Sequence, residues 1–131
     1  ATGAYELVEL PAGMIDGGAF VGAAARELAE ELGVTFSEGD LIDLTASLPG
    51  NDHEIYFSPG LLDEKARFYL AQITVSPDEL TKFQGKATGL LEEGEQIKLW
   101  VVLVSEVQKH TRDGKTFIAL YLYNHWQRRN G

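Results

Sequence analysis

The sequence predicts one α/β or α+β domain, with helices and strands mixed along the chain and folded into a sandwich. Three observations carry that expectation. The chain has 131 residues, enough for a single domain that buries about two-thirds of its unfolded surface. Its 44% hydrophobic and 24% charged residues are those of a globular protein rather than a disordered one. Apolar runs of strand length also alternate with Ala-, Leu- and Glu-rich stretches of helical character.

In chain order, Tyr5-Glu6-Leu7-Val8-Glu9-Leu10 reads as a strand stopped by Pro11, since proline cannot donate to a ladder. Met14-Ile15-Asp16 reads as a second short strand before Gly17-Gly18. Residues 20–32 favour a helix, with Gly33 as its stop. Residues 41–48 and 54–57 read as strands joined by the turn Pro49-Gly50-Asn51-Asp52. Residues 66–75 form a longer apolar strand. Ser76-Pro77-Asp78-Glu79 starts a helix, with proline at its first position and acids in its first turn. Residues 97–104 are the most hydrophobic strand, expected to be buried on both faces. A turn at Asp113-Gly114 leads into an amphipathic helix over residues 117–129, closed by Arg128-Arg129.

Charge and composition exclude several function classes. Twenty acidic residues against 11 basic ones give a formal charge of -9, which repels a phosphate backbone and argues against nucleic-acid binding. No cysteine is present, so disulfides, thiolate nucleophiles and cysteine zinc sites are ruled out together. The longest apolar run, Leu99 to Val104, is far short of the ~20 residues a membrane-spanning helix needs. No basic stretch followed by an apolar one opens the sequence, so an intracellular, cytoplasmic protein is expected.

The densest chemistry is Arg26-Glu27-Leu28-Ala29-Glu30-Glu31-Leu32-Gly33-Val34. On a helix, Glu27, Glu30 and Glu31 fall at i, i+3 and i+4, so three carboxylates share one face while Val21, Ala25, Leu28 and Leu32 take the other. Like charges at this spacing repel by a few tenths of a kcal/mol. A hard divalent cation turns that repulsion into attraction, because magnesium takes carboxylate oxygens. A solvated acidic face is the other reading of the same residues.

Leu10-Pro11-Ala12-Gly13-Met14-Ile15-Asp16 followed by Arg26-Glu27-Leu28-Ala29-Glu30-Glu31-Leu32-Gly33-Val34 resembles the sequence box of the Nudix hydrolases. The second half matches the family pattern at every specified position. The first half departs from it: the expected glutamate falls on Ala19, and six residues rather than seven separate it from Arg26. Asp16 is a partial substitute. The Pro-Ala-Gly-Met-Ile-Asp opening and Phe20-Val21-Gly22 are similar to the ADP-sugar diphosphatase branch, including its plant-type members. The resemblance implies an α/β/α sandwich around a mixed central sheet. It further implies that the Ala12 carbonyl, Glu27 and Glu31 bind magnesium or manganese, with Glu30 beside them and Arg26 orienting a glutamate of the box.

The same branch has a loop of the form Glu-any-Glu matching Glu93-Gly94-Glu95. The match implies Glu93 as general base and Glu95 as a further metal ligand. Phe57-Ser58-Pro59-Gly60-Leu61-Leu62-Asp63-Glu64 resembles the segment that holds the substrate's sugar, making Ser58, Gly60 and Glu64 candidate pocket residues. Without the resemblance both segments read as ordinary loops. His53, His110 and His125 are expected in surface or capping roles, and Trp100 and Trp126 as core or interface aromatics.

The function so implied is magnesium-dependent hydrolysis of ADP-ribose or ADP-glucose to AMP and a sugar phosphate. The alternative is a non-catalytic Nudix-fold module that binds nucleotide or serves an assembly, which the absent first glutamate favours. Family members carry earlier strands and an N-terminal subdomain. Their absence here leads to an expectation of a homodimer, or of a missing N-terminal segment covering an exposed edge. The plant-like resemblance also allows a plastid location.

Overall fold

The computed structural model describes residues 8–11, 25–26, 29–30, 35, 37–88 and 97–130. These residues mix helices with short antiparallel sheets, the α+β character expected. Strand β1 (Leu41–Asp43) pairs with β4 (Tyr69–Ala71), setting Leu41 opposite Ala71, Ile42 opposite Leu70 and Asp43 opposite Tyr69. Strand β2 (Ile55–Tyr56) pairs with β3 (Lys65–Ala66), and β5 (Ala87–Thr88) with β6 (Ile97–Lys98). All pairing among the described residues is antiparallel and confined to these three two-stranded sheets.

Residues 41–48 do not run on as one strand. After Asp43 the chain turns into a 3-10 helix, Leu44–Ser47. Asp43 Oδ1 accepts hydrogen bonds from the Thr45 backbone N–H at 2.9 Å and from its hydroxyl at 2.6 Å. A short acidic side chain that satisfies the backbone two residues on competes with the sheet ladder and wins here. Across the turn at residues 49–52, the two segments do not pair with each other. β1 takes β4 as its partner, and β2 takes β3.

The expected strand over residues 66–75 splits into β3 and β4 at Arg67-Phe68. The Phe68 carbonyl there accepts from the Leu44 N–H at 2.8 Å. Residues 97–104 are likewise a strand only at Ile97–Lys98. The Leu99 N–H donates to the Lys86 carbonyl at 2.9 Å, but the Val101 N–H turns to the Gln84 side chain at 2.6 Å. A 3-10 helix, Val104–Lys109, then takes over. Instead of being buried on both faces, this stretch leaves Trp100 half exposed and Leu103 at 70%.

Two helix starts follow the chemistry of their sequences. In the helix Pro77–Phe83, Ser76 Oγ accepts the Glu79 N–H at 3.2 Å and proline occupies the first turn. The C-terminal helix runs Gly114–Asn130, one turn earlier than residue 117, with Arg128 and Arg129 in its last turn. Asp113 sets that start. Its Oδ2 accepts from the Thr116 N–H at 3.2 Å and from the Thr116 hydroxyl at 2.9 Å. Buried Thr116 and Leu122 face inward from this helix, which packs on the 3-10 helix carrying buried Leu44 and Thr45. Phe117 and Tyr121 remain exposed on the helix. Residues 8–10, expected to end a strand, have no regular structure here, and the Thr111 hydroxyl donates to the Val8 carbonyl. No described helix is long and apolar enough to cross a membrane.

Candidate functional site

Ala25, Arg26, Ala29 and Glu30 are helical, as the acidic stretch requires. Ala25 is buried at 6% exposure, on the side expected to face the core. Arg26 is exposed and Glu30 half-buried. The two stand at i and i+4, one turn apart on one face. Ala12, Glu27, Glu31, Glu93 and Glu95, which complete the expected metal and catalytic set, lie outside the described residues. Among the described residues, no three His, Asp or Glu side chains gather closely enough to hold a metal ion.

Ser58, Gly60 and Glu64 belong to the loop joining β2 to β3. The Ser58 carbonyl accepts N–H groups from Leu61 at 2.9 Å and Leu62 at 2.7 Å, closing a tight turn over Pro59-Gly60. Ser58 is half-buried, whereas Gly60 and Glu64 are exposed. Leu61 is 82% exposed, so its apolar side chain does not pack into the fold. A Cβ added at Gly60 meets nothing within 4 Å; the fold itself does not demand glycine there.

The stem of this hairpin is held by polar groups rather than by ladder length. Lys65 Nζ lies 3.0 Å from Glu54 Oε2, and the carboxylate raises the ammonium's pKa by hydrogen bonding. The Tyr56 hydroxyl donates to Asp52 Oδ2 at 2.6 Å. That bond holds the Asp52 carboxyl below its ordinary range and raises the Tyr56 phenol. Arg67 Nη2 donates to the Asp52 carbonyl at 2.7 Å, while Nη1 lies 3.5 Å from Asp43 Oδ2. The Phe57 ring packs edge-on against Phe68 at 6.4 Å, with Lys115 Nζ 6.0 Å from its centroid.

Arg67, Asp43 and Asp52 lie outside the set of site residues that the sequence points to. The available signal was a guanidinium in an otherwise apolar run, since a charge placed there must find partners. His53, at φ 52°, sets its Nδ1 2.7 Å from the Leu48 carbonyl, a local structural role. His110 packs on Trp100 at 4.7 Å and His125 stacks on Tyr121 at 6.5 Å. A cleft of about 180 Å³ separates the 3-10 helix from the C-terminal helix, lined by Leu44, Ser47, Leu122, His125, Trp126 and Arg129. A wider groove of about 440 Å³ runs between Val104 and Tyr123. Neither is lined by Arg26, Glu30, Ser58, Gly60 or Glu64.

Comparison with known proteins bears on the same residues. The family model for the NUDIX domain matches residues 2–121. The chain is also 41% identical over 125 residues to "Nudix hydrolase 14, chloroplastic" of Arabidopsis thaliana, covering 93% of this chain. It spans 40% of the length of that curated relative. No solved structure matches the chain.

Proposed function

Because the chain belongs to the Nudix family, we propose that it hydrolyses the phosphoanhydride of a nucleoside diphosphate sugar, ADP-ribose or ADP-glucose. Water adds to one phosphorus and the bridging P–O bond breaks, leaving AMP and a sugar phosphate. One observation carries the reading: the complete pattern from Arg26 to Val34 lies within the matched region and is helical at Arg26, Ala29 and Glu30, as is Ala25 just before it.

The donor set fits a hard divalent cation, offering three carboxylates within five residues and no sulfur ligand. In this proposal Glu27, Glu31, Glu95 and the Ala12 carbonyl hold magnesium or manganese. The cation supplies charge neutralisation on the diphosphate and a more acidic attacking water. Glu93 accepts the water's proton, Glu30 supports the acidic face, and Arg26 orients a neighbouring carboxylate. Ser58, Gly60 and Glu64 receive the sugar, with the exposed Glu64 carboxylate accepting from a hydroxyl. A protein of charge -9 needs such a cation to approach a diphosphate.

In this reading the chain forms one Nudix domain, and the relative's chloroplastic name supports a plastid location. A second copy or an N-terminal segment covers the exposed apolar side chains around Leu103 in this reading; light scattering with intact mass tests it, and a stable lone monomer refutes it. Ala19 at the position of the first box glutamate favours a second reading, a module that binds nucleotide without cleaving it. A product screen over ADP-ribose, ADP-glucose and UDP-glucose, with magnesium and with manganese, separates the two. Release of AMP supports the enzyme. Calorimetric binding of intact ADP-sugar without turnover supports the module.

A further inference from the structure

The geometry points to Arg67 as a positioning residue that sets the substrate affinity of the 58–64 loop. This rests on the reading of that loop as the sugar pocket. β2 and β3 share only two facing pairs, Ile55 with Ala66 and Tyr56 with Lys65. A ladder so short does not hold an eight-residue connection in place by itself. The stem must therefore be fixed from outside the ladder.

Arg67 lies directly after β3, and its guanidinium reaches both Asp52 and Asp43. Nη2 binds the Asp52 carbonyl at 2.7 Å, on the approach to β2, and so ties the two arms of the hairpin together. Nη1 faces Asp43 Oδ2 at 3.5 Å, at the end of β1. Asp43 is itself committed to Thr45, which is fully buried against the rest of the fold. One planar fork thus joins the arms of the hairpin to a segment anchored by fully buried Thr45. Lysine carries the charge but not the fork, and cannot serve Asp52 and Asp43 together. The side chain is only 20% exposed, so water replaces its bonds poorly.

Glu64 stands three residues before Arg67 and Ser58 six after Asp52. Loosening the stem shifts both pocket residues. The candidate groups for metal and proton transfer lie on other segments of the chain, so affinity suffers while the chemical step does not.

The test compares Arg67→Met and Arg67→Lys with the wild type, using steady-state turnover of ADP-ribose and amide hydrogen exchange on the intact chain. Arg67→Met is expected to raise KM roughly tenfold with kcat within about twofold, since small misplacements of binding groups are costly. Arg67→Lys should fall between the two. Exchange should quicken at residues 58–64 and stay unchanged at residues 116–122. Ser76→Ala, which removes the N-cap of the helix Pro77–Phe83, should leave KM alone. An unchanged KM in Arg67→Met, or a fall in kcat alone, overturns the inference. If the wild type cleaves no ADP-sugar, the proposed function fails. Exchange then decides on Arg67 separately: faster exchange confined to 58–64 supports positioning, and unchanged exchange refutes it.

Discussion

Arg67 Nη2 donates to the carbonyl oxygen of Asp52 at 2.7 Å, across 15 positions of sequence. The bond spans the base of the hairpin whose loop carries Ser58, Gly60 and Glu64. Asp43 also faces the same guanidinium and caps the 3-10 helix Leu44–Ser47.

Asp43→Ala removes the acceptor for the Thr45 N–H and hydroxyl while Thr45 stays fully buried. Orphaned buried donors cost about 1–3 kcal/mol. Urea unfolding should show a loss in that range, with a lowered midpoint and an unchanged slope.

Asp52 makes stability depend on acid. Its folded pKa lies below the ordinary 3.8, mainly because the Tyr56 hydroxyl donates to the carboxylate. The contribution is therefore fully present above about pH 4 and is lost as pH falls through the lowered value. Tyr56 is raised from 10.0 by the same bond, so its contribution is present below pH 10 and is lost as pH rises through the raised value. Asp52→Asn should flatten both limbs of a plot of Tm against pH, with little change in the steepness of other transitions.

Asp113→Ala should destabilise the chain by about 0.5–2 kcal/mol, the range for losing a helix N-cap. The carboxylate accepts both the N–H and the hydroxyl of Thr116, which is 2% exposed. Chemical denaturation checks the value, and a change below about 0.3 kcal/mol would contradict the capping account.

Gly60→Ala separates fold from pocket. Its added Cβ meets no atom within 4 Å, so Tm should move little. If the 58–64 loop approaches the sugar, the methyl group should raise KM for ADP-ribose several-fold. An unchanged KM would place the sugar elsewhere.

Local chemistry was legible in the sequence, and tertiary competition was not. Ser76-Pro77 and Arg128-Arg129 mark a helix start and a helix end because their partners are a few residues away. The helical state of Arg26 and Glu30 follows from Ala- and Glu-rich spacing. The strand expected over residues 41–48 fails after Asp43, where a side chain outcompetes the ladder. The strand expected over residues 97–104 ends early, where Gln84 captures the Val101 N–H from 17 positions away. Hydrophobicity alone carries no information about either competitor. At the candidate site, Ser58, Gly60 and Glu64 could be named by resemblance. The fork of Arg67 depends on how β1 and the hairpin meet in space.

The most direct test of the central claim is magnesium-dependent release of AMP from ADP-ribose by the wild type and by Glu31→Gln. Outer-shell partners of a metal site are commonly worth 10–100-fold, so losing a ligand should cost about 100-fold or more in turnover. Equal rates in the two proteins, or turnover unaffected by removing the cation with a chelator, would contradict the account.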